Sequence, residues 1–323
     1  MFKELLNDIE EELMVLEEDL FKTINTKRML IRKPLENMIN AGGKRLRPGL
    51  VLTAARFGNY DFEKARPLAL AVELLHTASM IHDDIVDDSP TRRGIPSIQS
   101  AIGKDAAVYA GDYVFCKVFE ILANEPAYVM KETSKAMSQV CEGEIKQKED
   151  FFNVDLTLKD YLYRIEKKTA VLFALSAKLG AFSSQAPCKT AKQLYTYGIN
   201  AGMAFQMADD LSDFIADSEK LGKPKGSDLK SGVITLPVIY ALKKNGENQY
   251  LRSILETRNI GEGEFSEIVR IIEIAGGFAY TKNMINRYVK KAQEALMALP
   301  DVPAREILNV SAKIIIENVN KTI

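Results

Sequence analysis

Helical periodicity runs through almost the whole of this 323-residue chain, and alternating strand-like patterning is nearly absent. In the first segment Phe2, Leu5, Leu6, Ile9, Leu13, Leu16 and Leu20 recur at three- and four-residue steps, the spacing of one helix face. The same pattern predicts helices over about 27–40, 45–58, 63–87, 103–123, 127–150, 157–180 and 188–216. It continues more weakly over about 234–244, 248–257, 264–275, 278–297 and 303–318. Breaks fall at Ala41-Gly42-Gly43, Ser89-Pro90, Gly94-Ile95-Pro96, Ala186-Pro187 and Leu221-Gly222-Lys223-Pro224. No linker, low-complexity tract or repeat interrupts the series, so the expectation is one all-α domain over 1–323, a single large helical bundle. Segments 68–82 and 170–182 are apolar almost all round and belong in the middle of such a bundle, either as plain core or as walls of a greasy pocket.

Charge excludes some functions. Lys plus Arg number 43 against 44 Asp plus Glu, a formal charge of -1. A general nucleic-acid binder is usually basic overall, so none is expected, and any phosphate chemistry must come from local placement of charge. Cys116, Cys141 and Cys188 are far apart and odd in number, which argues against a disulfide framework or a structural zinc site and fits a cytoplasmic setting. The acidic, amphipathic start lacks the basic and apolar regions of a signal peptide. No stretch approaches the ~20 apolar residues of a membrane span, although the protein could still handle a lipid.

Two acidic clusters each close an apolar helix. In Asp83-Asp84-Ile85-Val86-Asp87-Asp88, Asp83 and Asp87 are i and i+4 and share a face, with Asp84 and Asp88 beside them. Like charges at that spacing repel, and at a helix C-terminus they oppose the macrodipole. Such an arrangement asks for a hard divalent cation such as Mg2+, bound by carboxylates together with phosphate oxygens. Asp209-Asp210-Leu211-Ser212-Asp213 repeats the spacing. One cluster alone reads as a solvated helix end. Two of the same form favour metal binding, and helices lying side by side would set them across a pocket mouth. The spacing fits neither a calcium loop nor a hydrolase carboxylate pair.

Cations stand near these acids in sequence. Gly42-Gly43-Lys44-Arg45-Leu46-Arg47-Pro48 places three at a predicted helix start, where anions bind well. Arg92-Arg93-Gly94 follows the first cluster and Lys223 the second; each reads equally as a solvated loop. Lys168-Thr169 lies in an apolar helix, where a buried lysine needs an anion and a snorkelling one does not. His76 and His82 are the only histidines, and a lone histidine on an apolar helix is more often a hydrogen-bonded core residue.

Taken together these motifs resemble the trans-prenyl (polyprenyl) diphosphate synthase family over nearly the whole chain. The GGKRLRP stretch, the DDxxD at Asp83–Asp87 with Arg92-Arg93-Gly94, Gly111-Asp112, GEIxQ at Gly143–Gln147, Lys168-Thr169 and FQxxDDxxD at Phe205–Asp213 stand in family order. GKPxGSDLxxG and TLPVIYAL follow. The chain is most similar to medium- and long-chain members, particularly catalytic large subunits of bacterial heteromeric synthases, a setting tied to menaquinone biosynthesis.

The resemblance implies an isoprenoid-synthase bundle around a deep central cavity and a Mg2+-dependent prenyltransferase. It implies that Asp83, Asp84, Asp87, Asp209, Asp210 and Asp213 hold Mg2+, roughly three ions per site, directly or through water. Arg92, Lys168 and Lys223 would bind the allylic diphosphate (farnesyl or shorter), with Gln206 nearby. Lys44, Arg47, His76 and Arg93 would bind isopentenyl diphosphate, and Thr169 and Gln147 would line the reacting centre. One departure is Val233, where many relatives carry Lys. Ala78 and Ser79, one turn below Asp83, are small where short-chain relatives have aromatics, so the product should run deeper. Phe115 and Phe119 are candidates for its floor or for plain core. The expected product has about six to seven isoprene units, a scale set by helix turns of roughly 5.4 Å. The alternatives are a short-chain synthase making geranylgeranyl or farnesyl diphosphate and a non-catalytic subunit of a heteromeric enzyme. A homodimer, or a heterodimer with a small regulatory subunit, is expected, with peripheral membrane contact only, for product release.

Overall fold

The structure, a computed structural model, describes residues 2–215, 225–244 and 248–321. It is all-α apart from one small hairpin. The first half contains α1 (Phe2–Ile24), α2 (Met29–Asn40), α3 (Leu46–Ala55), α4 (Phe62–Val86), the hairpin β1 (Thr91–Arg92) and β2 (Ile95–Pro96), α5 (Ile98–Ile102), α6 (Lys104–Leu122) and α7 (Ala127–Glu149). After it come α8 (Leu158–Ile165), a π-helical turn (Glu166–Ala170), α9 (Val171–Ser183) and α10 (Cys188–Ile215). The remainder is α11 (Ser227–Lys230), α12 (Leu236–Leu242), α13 (Asn248–Glu256), α14 (Glu262–Ala275), α15 (Gly277–Met297) and α16 (Pro303–Lys321). No helix among the described residues is long and apolar enough to cross a membrane, and the three cysteines are free and exposed.

Two elements depart from the periodic pattern. The hairpin pairs Thr91 with Pro96 and Arg92 with Ile95. Its turn residues Arg93 and Gly94 have φ of 52° and 77°, the left-handed pair that a two-residue hairpin needs. Strands of two residues are too short for alternation to show. The predicted helix over 157–180 is interrupted by the π-turn at Glu166–Ala170, where Gly143 of α7 comes close: a Cβ at that glycine would stand 2.6 Å from the Lys168 amide nitrogen.

The chain's contacts divide it into two compact units. One comprises Met1–Ser134, Leu175–Tyr195 and Ala298–Leu308. Its axis is α4, started by the Asp61 side chain, which accepts from the Glu63 amide. From Leu68 to Leu75 every residue of α4 is buried, as the all-round apolar pattern required, and α3 and α6 pack on it. Gly111 of α6 makes room for the His82 ring, which its Cβ would meet at 2.3 Å. The other unit comprises Lys135–Ala174, Thr196–Met297 and Asn309–Ile323. There α8 begins with a capping box between Thr157 and Asp160. Gly198 and Gly202 let α10 lie close on Ala174 and Ala170, whose Cα atoms would stand 2.6 Å from an added Cβ.

Candidate active site

The first acidic motif is the C-terminal turn of α4. The Asp87 amide donates to the Asp83 carbonyl at 2.8 Å and the Ser89 amide to the Asp84 carbonyl at 2.9 Å, after which Asp88, with φ of 50°, turns the chain. This leaves Asp84 3% exposed, Asp83 half-buried and Asp87 exposed. The Asp84 carboxylate accepts from Arg92 Nε at 2.9 Å and, more closely, from Arg92 Nη2. Gln99 donates from Nε2 to the Asp84 carbonyl at 2.7 Å and to the Ser89 carbonyl at 3.0 Å. Burial raises the Asp84 pKa, with Arg92 pulling against it. Asp88 is ion-paired with Lys104 at 3.0 Å.

A cationic group lies in the same unit. Arg45, at the start of α3, donates from Nη1 to Glu73 Oε1 at 2.7 Å and from Nε to Glu17 Oε1 at 3.1 Å. Gly43 faces the Arg93 guanidinium, whose nitrogens an added Cβ would meet at 3.0 Å. Burial lowers the Arg47 pKa to about 10; Glu73 opposes the shift and Arg93 adds to it. His76 is held well below its ordinary value by burial and then by the charges of Arg47, Arg93, Arg92 and Arg45, so it is a neutral imidazole among arginines. Lys44 is exposed.

The second motif ends α10, in the other unit. Asp210 is 4% exposed. Its Oδ2 accepts from the Tyr161 hydroxyl at 2.7 Å and its Oδ1 from Gln206 Nε2 at 2.8 Å. Gln206 in turn accepts at Oε1 from the Thr169 hydroxyl at 2.5 Å. Burial pushes the Asp210 pKa up to about 7; Tyr161 and Gln206 oppose this, while Asp228 and Asp209 add to it. Asp213 is buried and accepts from Ser227 Oγ at 3.0 Å and the Asp228 amide at 3.2 Å. Asp209 is exposed. Lys168, on the π-turn, donates to Glu144 Oε2 at 2.8 Å, and Gln147 is buried on α7.

The sequence-derived residues thus fall into two groups. Asp83, Asp84, Arg92, Arg93, His76 and Arg47 stand together in one unit, and Asp209, Asp210, Asp213, Gln206, Thr169 and Lys168 belong to the other. Lys223 lies outside the described residues. Ala78 is fully buried and Ser79 half-buried one turn before Asp83. Phe115 tilts against His82 with ring centroids 5.7 Å apart. Phe119 is 53% exposed on the outer face of α6 with Val108 and Tyr109, so within this chain it is neither core nor an internal floor, because its helix turns that face outward.

Sequence reasoning missed Tyr161, Glu144, Gln99 and Glu73. Tyr161 and Gln99 carry no signal of their own, but Glu73 is the single charged residue in the 68–82 apolar run and could have been found that way. Among the described residues no three Asp, Glu, His or Cys side chains close into a metal cage. The donors present are oxygen-only and include outward carboxylates, which suits a hard cation that keeps water or phosphate in its shell.

Residues 28–272 match the family described as Polyprenyl synthetase. The chain is 37% identical over 309 residues to heptaprenyl diphosphate synthase component 2 of Geobacillus stearothermophilus, covering 95% of each. It is 38% identical over 280 residues to a geranylgeranyl diphosphate synthase of Methanosarcina mazei, covering 84% of each. A solved polyprenyl synthase from Caulobacter crescentus, complexed with calcium and isoprenyl diphosphate, matches with a TM-score of 0.92 and 31% identity, covering 98% of this chain and 97% of that one.

Proposed function

From the premise that the chain belongs to the polyprenyl synthetase family and is a trans-polyprenyl diphosphate synthase, we propose that it condenses isopentenyl diphosphate with an allylic diphosphate, farnesyl or shorter. The observation that carries this reading is the cationic group Arg47, Arg92 and Arg93 around the neutral His76, partly desolvated and tied through Arg92 to the first acidic motif. Desolvated cations in excess recognise a multivalent anion, and diphosphate is one.

In this reading Lys44, Arg47, Arg93 and His76 bind isopentenyl diphosphate. Arg92 and Lys168 bind the allylic diphosphate, joined by Lys223 on the strength of its motif. Asp83, Asp87 and Asp209 are the outward carboxylates that would hold Mg2+, and the bound cations supply charge stabilisation for the departing diphosphate. Asp84, Asp210 and Asp213 would join these ligands directly or through water, their carboxylates oriented by Arg92 on Asp84 Oδ1, by Tyr161 and Gln206 on Asp210, and by Ser227 on Asp213. Thr169 and Gln206, locked to each other, orient the reacting ends. The allylic carbon–oxygen bond breaks as diphosphate departs with its electron pair, and the isopentenyl double bond forms the new carbon–carbon bond to the resulting allylic cation. A proton from the neighbouring carbon of the isopentenyl unit passes to the diphosphate as the new double bond forms.

The product we propose is medium-chain, about six to seven isoprene units on a helix-turn scale of roughly 5.4 Å. The support is the small pair Ala78 and Ser79 one turn from Asp83. The Methanosarcina relative favours a second reading, a geranylgeranyl product. The name of the Geobacillus relative supports a partner subunit, and the exposed Val108, Tyr109 and Phe119 give a partner an apolar face. Incubating the purified chain with farnesyl diphosphate, isopentenyl diphosphate and Mg2+, then sizing the product, tests all of this. The expected product ladder shortens in Ser79→Phe. A wild-type product of four units, or an unchanged ladder in the variant, overturns the chain-length reading. Product only after a second subunit is added identifies the heteromer.

A further inference from the structure

The loop from Gly42 to Arg47 enters α3 through Arg45, whose φ of 45° lies in the left-handed region. That conformation is costly for a residue with a Cβ and persists where the surroundings hold it. The Arg45 side chain provides the hold. Its guanidinium donates to Glu73 Oε1 at 2.7 Å, to Glu17 Oε1 at 3.1 Å and to the Ile39 carbonyl at 3.4 Å. The Arg45 and Glu73 side chains are only 8% and 5% exposed, whereas Glu17 is nearly half exposed. Glu73 is therefore the buried end of the clamp. It sits three residues, about one turn, before His76 on α4.

We propose that Glu73 is a positioning residue for diphosphate recognition: through Arg45 it fixes the Gly42–Arg47 loop against α4 and so sets where Lys44 and Arg47 stand relative to His76. The proposal rests on reading that loop as the isopentenyl diphosphate subsite. A different role for Glu73, as a mere counter-charge beside Arg45, Arg47 and Arg93, makes the opposite forecast. Removing a negative charge from a cationic group strengthens its attraction for any anion. Removing a clamp weakens binding by displacing the groups that make it.

The sign of the change in Glu73→Gln decides between them. Steady-state kinetics on the full chain should show KM for isopentenyl diphosphate raised about tenfold, the scale expected for loss of a supporting partner. KM for farnesyl diphosphate should stay within about twofold, since that diphosphate has other ligands. If Glu73 acts through Arg45, the double variant Glu73→Gln with Arg45→Gln is no worse than Arg45→Gln alone. Glu73→Asp keeps the charge but shortens the reach, and should move KM in the same direction by less. A fall or no change in KM for isopentenyl diphosphate, an equal rise in both KM values, or additive single effects overturns the proposal. A binding readout separates this from the functional reading. Thermal protection of the wild type by inorganic diphosphate should weaken in Glu73→Gln, and unchanged protection overturns the clamp whether or not the enzyme turns over. A wild type that forms no prenyl product, alone or with a second subunit, overturns the function instead.

Discussion

Asp84 and Asp210 occupy the same position in two copies of one motif and are almost equally buried, at 3% and 4% exposure, yet they are held in opposite ways. Asp84 is paired with a charge, the Arg92 guanidinium. Asp210 is held by neutral donors, the Tyr161 hydroxyl and the Gln206 amide. A buried carboxylate must find partners of one kind or the other. Arg92 counters the burial that raises the Asp84 pKa, whereas burial pushes Asp210, which has no cationic hydrogen-bond partner among the described residues, up to about 7. The motif spacing therefore fixes which helix face the acids share, and the neighbouring elements decide how each acid is charged.

Replacing each carboxylate by its neutral isostere tests this contrast at its largest. Asp84→Asn leaves Arg92 without its charged acceptor. It should cost about 2 kcal/mol, a charged hydrogen bond discounted because the Arg92 side chain is more than a third exposed. Asp210→Asn removes a charge whose hydrogen-bond partners among the described residues are neutral, and the Tyr161 hydroxyl can rotate to accept as well as donate. Its cost should be about 0.5 kcal/mol. Urea midpoints of the two variants measure the difference, and equal losses would break the contrast.

The two regions also differ in how far the sequence disclosed them. Every aspartate of both motifs, and the GGKRLRP, Arg92-Arg93 and Lys168-Thr169 cations, were legible because motif chemistry is local: like charges at i and i+4 need an explanation wherever they occur. The long helices were legible because their apolar faces repeat. Arg92 and Gln206 stood out as motif residues, but the partners outside the motifs were not legible. Tyr161 meets Asp210 across 49 residues of sequence, and nothing in a tyrosine on a helix face announces that contact. The π-turn at Glu166–Ala170 has the sequence of ordinary helix, since its side chains keep a helical pattern and the close approach of Gly143 is a tertiary fact. The hairpin at Thr91–Pro96 was hidden by its length, although Arg93-Gly94 carries the turn.

A smaller effect sharpens the neutral side of the comparison. Tyr161→Phe keeps the buried ring and deletes one donor to Asp210. The bare oxygen should cost about 1 kcal/mol rather than the full penalty of an unpaired buried charge, because a carboxyl already near pH 7 can take up a proton instead. Gln206 and Thr169 remain bonded to each other, so the prenyl product should keep its length. Urea unfolding with product sizing on the same preparation checks both halves, and a loss as large as that of Asp84→Asn would show that neutral partners hold as firmly as charged ones.

The smallest effect belongs to the cationic side and has a definite sign. Arg47, Arg93, Arg92 and Arg45 face His76, and burial together with their charges keeps its imidazole neutral well below the ordinary value of 6.5. The unfolded chain protonates this histidine near pH 6.5, while the folded, ligand-free chain does not until much lower pH. The unfolded state then binds more protons, so the contribution of His76 is present above pH 6.5 and is lost as pH falls below it. Between pH 7 and pH 6 the wild type should lose about 0.7 kcal/mol relative to His76→Gln, read as the difference between their urea midpoints so that other titrating groups cancel. Diphosphate should reduce the difference, because an anion among the arginines offsets their part of the shift while burial remains. A flat difference curve without diphosphate would mean that neither burial nor the arginines keep the His76 ring neutral, and the charged half of the comparison would then rest on Asp84 and Arg92 alone.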